Sequence, residues 1–225
     1  MRSKFRLSTS TTARLDGHRG VQRGGLPSEG VGESRPPVLC PYDPRWPEIA
    51  RELIAALRDA AAQNDWDYYH IGSTAVPGLA AKNIIDLQIR VPHLPSYEDL
   101  DTMFGPLGYV RTAGSRPDSP GVYRDARRGS EVVPDEVWEK RLYVRPGEPF
   151  VILHVRRMDS PFGCYTVWFR DWLHAHPRER QRYEAVKRQL AAAHSADADY
   201  DDYTRAKTAY LDEAQPLFET WARSR

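Results

Sequence analysis

The chain has 225 residues, 40% of them apolar and 28% charged, with a formal net charge of +1 and a pI of about 7.8. That length suits one substantial domain or a domain with an appendage, and the composition is that of an ordinary soluble globular protein. No apolar run approaches the roughly 18 residues of a membrane span, the near-neutral charge gives no field for nucleic acid or an anionic membrane, and the two cysteines, Cys40 and Cys164, make neither a disulfide framework nor a metal-ligand spacing.

A reduced cytoplasmic protein is the simplest expectation. Residues 1–37 differ from the rest: seven Lys and Arg against Asp16, Glu29 and Glu33 give a net of about +4, among many Ser, Thr and Gly. Such a stretch buries too little to offset its ordering entropy, so it reads as a disordered basic extension. A transit peptide and a start codon placed too far upstream are the alternatives. The globular part, one domain, is expected over 38–225, with a sheet core about 38–157 and C-terminal helices about 163–223.

In chain order, "PYDPRW" forms a turn, and Ile49, Leu53, Ile54, Leu57 and Ala61 recur at helical spacing through about Asn64. Trp66 to Ile71 reads as a strand and Asn83 to Val91 as a second, more apolar one. A short helix capped by Ser96 stops at Gly105-Pro106, and Tyr109 to Arg111 is a third strand. Residues 112–136, rich in Gly, Pro and charge, read as a long mobile loop. Lys140 to Val144 and Phe150 to Arg156 are strands joined by "RPGEP". Helices follow Gly163: one stripe runs through Tyr165, Trp168, Phe169, Trp172 and Leu173, a second through Tyr183, Val186 and Leu190. A third runs from Tyr203 to Trp221, with a kink expected at Pro216. The fold class is therefore α+β: a mixed sheet flanked by helices, with a C-terminal helical layer.

The chemistry concentrates in "YYHIGSTAVPGLAAKNIIDLQIRV". Gly72-Ser73 after a strand is ordinary turn chemistry, but followed by a helix it also brings backbone N–H groups and a dipole end to a place where an anion can sit. Asp86, inside the run Ile84, Ile85, Asp86, Leu87, is costly there unless paired, hydrogen-bonded or bound to a metal. Gln88 lies two residues on, on the same strand face, where a second carboxylate would complete a metal pair. Charged residues on the later strands, Arg156 and Arg157 among them, would ordinarily point to solvent; the functional alternative puts Arg141 and His154 opposite the Gly-Ser bend as a polyphosphate clamp, with Lys82 beside them. Tyr203 and Lys207, four apart on one helix face, would suit a nucleobase and a phosphate, or packing with a solvated lysine. Arg170-Asp171 is an ion pair tying a helix to the sheet or part of a pocket wall. His174 and His176 point in different directions, and His70 suits a hydrogen-bonded structural role.

Strand, Gly-Ser, helix, strand, Asp resembles the signature of the nucleotidyltransferase superfamily. More specifically, "VLCPYDPRWPEIARELIAAL", "HIGSTAVPGLAAKNIIDLQI", "WEKRLYVR…ILHVR" and "FRDWLHAHPRERQRYEAVKRQLA…YTRAKTAYL" are similar to successive blocks of the GrpB (UPF0157) family, from about Val38 to Trp221. That family occurs alone and fused to dephospho-CoA kinase. The superfamily resemblance implies a Gly-Ser loop that holds a nucleotide triphosphate and acids that bind Mg²⁺. On this expectation Ser73 and Asp86 are catalytic and Asp86 and Gln88 hold the metal. Gly72, Ser73, Thr74, Lys82, Lys140, Arg141, His154, Tyr203 and Lys207 would bind a nucleotide or another phosphorylated small molecule. The chain would then be a Mg²⁺-dependent nucleotidyltransferase acting on a small acceptor, or a non-catalytic nucleotide- or CoA-binding accessory module, with no membrane or nucleic-acid partner.

Overall fold

In a computed structural model, residues 36–114, 118–119, 121–129 and 131–225 are described. The basic extension lies, up to residue 35, outside the described residues. The first helix, α1 (Trp46–Ala61), opens with Pro47 in its first turn, where a missing N–H costs nothing, and stops where Ala62 turns left-handed at φ 51°. Strand β1 (Asp67–Ile71) leads into the Gly72 bend and a single 3₁₀ turn at Ser73–Ala75. Strand β2 (Ile84–Val91) and helix α2 (Tyr97–Phe104) follow, the helix capped by Ser96, whose hydroxyl accepts from the Asp99 N–H. Then come β3 (Val110–Arg111), β4 (Lys140–Arg145) and β5 (Phe150–Arg157). The chain ends in α3 (Pro161–Ala175), α4 (Pro177–Ala193), α5 (Asp201–Ala206) and α6 (Thr208–Arg223). The third helical stripe is thus two helices that divide at Lys207, and α6 runs on through Pro216.

The five strands form one sheet in the order β1-β2-β5-β4-β3, parallel only between β2 and β5. This is the α+β mixed sheet expected. One face carries the main apolar core, and the other is divided between charged residues and a small apolar cluster of Ile84, Val144, Phe150 and Ile152. Ile85, Leu87, Ile89 and Val91 of β2, Val151, Leu153 and Val155 of β5, and Tyr143 of β4 pack against α1 and α2 in the main core. The alternate residues, Asp86, Gln88, His154, Arg156 and Lys140, face the other way, because successive side chains in a strand point to opposite sides. A second apolar cluster forms within the C-terminal helices, from Tyr165, Trp172, Leu173, Tyr183, Tyr210 and Phe218 with Val76 and Leu79 of the loop after β1. The polar sheet face and this helical layer enclose a cavity.

The described part of 112–136 is anchored, contrary to the mobile loop expected. The Lys140 N–H donates to the Tyr123 carbonyl, the Asp125 N–H donates to the Trp138 carbonyl, and Val122 and Asp125 are buried. Backbone pairing to the start of β4 supplies what its composition lacks.

Candidate functional site

The cavity, of about 570 Å³, is lined by the bend after β1, the polar face of β2, β4 and β5, the anchored 121–128 segment, and α4 to α6. Its floor is the Gly72–Ser73 bend. Gly72 adopts φ +73°, and a Cβ there would meet Asp86 Oδ2 at 2.3 Å, so both the backbone and the available space require glycine. Thr74 locks the bend. Its hydroxyl donates to the Ile84 carbonyl at 3.0 Å, so it accepts from His70 Nε2, also at 3.0 Å. His70 has the structural role expected, and burial pushes its pKa down to about 4. Ser73 lines the cavity, with a side-chain hydrogen bond to the buried Tyr183 phenol of α4. The helix after the bend is one 3₁₀ turn of three residues, too short for the helix-dipole anion site expected.

Asp86 sits at the centre of this floor. Burial pushes its carboxyl above the usual carboxylate range, against the pull of Lys82 first and then of Lys207, Arg156 and Lys140. Behind it is a buried ion cluster. Arg156 donates to both oxygens of Asp125, Nε at 2.6 Å and Nη2 at 2.9 Å, and Lys140 Nζ lies 3.1 Å from Asp125 Oδ1. Burial alone would raise Asp125, but Arg156 and Lys140 hold it below its ordinary value. Burial lowers Lys140 to about 8. His154 joins the cluster through Nδ1, 3.2 Å from Lys140 Nζ, and presents Nε2 toward Asp86 Oδ1 at 4.0 Å. Burial, then the charges of Lys140 and Arg156, hold its pKa well below the usual histidine range.

The opposite wall carries more cations. Lys187 of α4 is buried, donates to the Ala80 carbonyl, and is lowered by burial to about 7. Lys207 stands 4.7 Å over the Tyr203 ring; burial lowers its pKa against the pull of Asp86. Lys82 lies 3.3 Å over Tyr200 and 5.9 Å from the Tyr203 centroid.

Of the residues expected at the site, Ser73, Thr74, Lys82, Asp86, Lys140, His154, Tyr203 and Lys207 line the cavity, and Gly72 supports its floor. Three expectations require correction. Gln88 is 1% exposed; its amide oxygen accepts from Arg156 at 2.8 Å and Thr166 at 3.0 Å, and its nitrogen donates to the Gly163 carbonyl, so it is engaged as a bracket between β2, β5 and α3 and is closed to a metal. Arg141 faces the other side of the sheet, donating to the Pro95 carbonyl and stacking 4.8 Å over Tyr97; Lys140, one residue earlier, takes the cavity face. Tyr203 is 1% exposed with Lys207 4.7 Å over its ring, so it packs against the lysine and is not open to a nucleobase.

Arg156 is also corrected: it is 1% exposed where a solvated strand end was expected. Arg170 is an ion-pair residue, bonded to Asp171 and to the His70 carbonyl, tying α3 to β1. Sequence reasoning missed Asp125, Lys187 and Tyr200. Lys187 had a signal, since it sits four residues after Tyr183 on the apolar stripe of α4; Asp125, in a loop 31 residues before Arg156, had none.

The donor set does not fit a divalent cation held by the protein. Such an ion takes several oxygen ligands, usually with more than one carboxylate or with substrate phosphates. Here Asp125 is saturated by Arg156 and Lys140, Gln88 is engaged, and Asp201, which also lines the cavity, accepts from the Ser119 hydroxyl at 2.6 Å, while Asp86 stands among cations. No group of three His, Cys, Asp or Glu with metal-binding geometry occurs among the described residues. No described helix is long and apolar enough to cross a membrane.

Comparison with known proteins agrees with this architecture. The family described as GrpB protein matches residues 36–216. A dephospho-CoA kinase of Mycolicibacterium paratuberculosis is 34% identical over 199 residues, covering 85% of this chain and 48% of that protein. A UPF0157 protein of Streptomyces coelicolor is 34% identical over 171 residues, covering 76% of this chain and 77% of that one. The crystal structure of GrpB from Enterococcus faecalis superposes with a TM-score of 0.61 at 23% identity, covering 82% of this chain and 99% of that one, a likeness of fold. The chain thus spans about half the length of the dephospho-CoA kinases it matches and most of the shorter UPF0157 protein. With the match running through the Gly72 bend, the polar sheet face and the C-terminal helices, the chain belongs to the GrpB family.

Proposed function

We propose that the chain binds a phosphorylated small molecule, a nucleotide or a CoA-like phosphoester, in the lysine-lined cavity. The observation that carries this is Lys207: its half-buried ammonium lines the cavity beside Asp86 and Tyr203 and makes no side-chain hydrogen bond among the described residues. A half-buried ammonium has given up part of its hydration without a hydrogen bond in return, and a phosphate oxygen restores both charge and hydrogen bond. Lys187 and Lys82 lie on the same wall, so the anion would be held by several point charges. The name of the longer relatives, dephospho-CoA kinase, supports a CoA-like phosphoester as one candidate ligand.

Titration with ATP, dephospho-CoA and CoA, followed by thermal melting and calorimetry, tests this. At 100 times its Kd a ligand adds about 2.7 kcal/mol of stability, a shift of roughly 5–10 °C for a chain of this size. No shift with any of the three at millimolar concentration would overturn the proposal.

Nucleotidyl transfer from an NTP to a small acceptor is the second reading, favoured by the packing of the Asp86 carboxylate directly against the Gly72–Ser73 bend. The expected magnesium is not carried into it, because the acids that line the cavity with Asp86 are engaged, Asp125 by Arg156 and Lys140 and Asp201 by Ser119. Release of pyrophosphate from an NTP, lost in Asp86→Ala, would support this reading; equal release by both proteins, or none, would remove it.

A further inference from the structure

The gap between Asp86 and His154 has a defined chemistry, which follows from where the proton on His154 must be. Its Nδ1 faces Lys140 Nζ at 3.2 Å and Arg156 Nη2 at 3.4 Å. Both neighbours carry donors only, so Nδ1 offers its lone pair and the ring proton resides on Nε2. Asp125 fixes both donors, through the two Arg156 bonds and the contact to Lys140, so this arrangement is built into the buried cluster. His154 therefore presents an N–H to the cavity, with Nε2 4.0 Å from Asp86 Oδ1.

That distance is too long for a direct hydrogen bond, yet one oxygen atom can lie at ordinary hydrogen-bond lengths, about 2.9 Å and 2.7 Å, from both ends. The bridging oxygen must accept from an N–H and donate to a carboxylate. A hydroxyl does both. A phosphate oxygen has no proton for Asp86 and repels it. The other carboxylate oxygen, Oδ2, packs against Gly72 in the space a side chain would have filled. Lys82 and Lys207, the two cations that act most strongly on Asp86, line the same cavity and place positive charge beside that hydroxyl.

We infer that Asp86 and His154 form a seat for one hydroxyl of the ligand, so that the cavity takes a hydroxylated phosphoester, a sugar- or polyol-phosphate moiety, in preference to a phosphate on a bare alkyl chain. This rests on the phosphoester proposal above and narrows its ligand class. The two residues are specificity-determining: the lysines hold the anion and the seat selects what is attached to it.

Calorimetry on the full chain tests this with two matched pairs, glycerol 3-phosphate against propyl phosphate and ATP against 2′,3′-dideoxy-ATP. At least one pair is expected to favour the hydroxylated member about tenfold or more. In Asp86→Asn, isosteric but uncharged, that preference is expected to fall to within twofold, while the dehydroxylated member binds as well as before or better, since a repelling charge has gone. A merely structural role for Asp86 would weaken both members alike. Equal binding within both pairs by the natural protein overturns the inference and leaves the phosphoester proposal standing. Absence of binding by every phosphorylated probe, CoA included, overturns both.

Discussion

Oδ2 of Asp86 stands 2.3 Å from the point where a Cβ on Gly72 would lie, closer than carbon and oxygen can pack. The carboxylate and the bend are built around each other: Ile71 pairs with Asp86 across β1 and β2, and the left-handed φ of +73° at Gly72 turns the chain away at the next residue. A bulkier residue would push Asp86 out of the cavity floor and strain the backbone as well.

Gly72→Ala is therefore expected to destabilise the fold by about 2 kcal/mol, from φ strain and the clash together. The melting temperature should fall by roughly 4–8 °C, and affinity for any phosphorylated ligand should fall with it. An unchanged melt would show that the bend relaxes without cost.

Asp86→Asn is expected to raise the melting temperature of the ligand-free protein at pH 7. The folded pKa of Asp86 is raised, so its ionised form costs stability as pH rises from the ordinary carboxylate value through the folded one, and the amide removes that cost. A lower melting temperature in the variant would mean that the surrounding lysines need the carboxylate more than burial opposes it.

The parity of β4 makes a sharp contrast between neighbours. Lys140→Ala should weaken phosphoester binding at least tenfold, with a stability cost of about 3 kcal/mol from the partner charge left buried on Asp125. Arg141→Ala should leave affinity within twofold, because its guanidinium lies over Tyr97 on the far face. Calorimetric titration of both variants with the same ligand checks the pair, and equal losses would contradict the assigned faces.

Stability should rise with alkaline pH in a way traceable to Lys187. Its folded pKa of about 7 lies below its ordinary 10.5, so between these values the unfolded chain binds more protons than the folded one and raising the pH favours folding. Lys187→Met should flatten this part of the profile and be neutral or stabilising at pH 7. Denaturant melts from pH 7 to 10.5 measure it, and an identical slope in the variant would rule Lys187 out as the source.

Ligand binding at pH 8 should take up protons. Lys140 at about 8 and Lys187 at about 7 are both partly neutral there, and an arriving phosphate raises both. Calorimetry in two buffers of different ionisation enthalpy reads the uptake directly, and buffer-independent heats would argue that the lysines do not meet the anion.

Much of this protein was legible in its residues. Alternating and helical periodicity place the five strands within a residue or two at each end, because a half-buried strand or helix must repeat its apolar positions at the period of its own geometry. The costly Asp86 and the nearby glycine were readable for the same local reason. What periodicity could not assign was the facing of strands that carry charge on both parities. Lys140 and Arg141 are equally polar, and only the pairing of β4 with β5, Lys140 opposite Arg156, turns the lysine to the cavity and the arginine to Tyr97. Likewise Gln88 shares a face with Asp86, but the approach of Arg156, Thr166 and the Gly163 carbonyl turns it into a bracket. Asp125 reaches the site from a loop whose own sequence shows no preference for burial. Local pattern determined the elements and the one improbable carboxylate; the company that carboxylate keeps was decided by long-range packing, since buried charges are tolerated only where distant segments bring their partners to them.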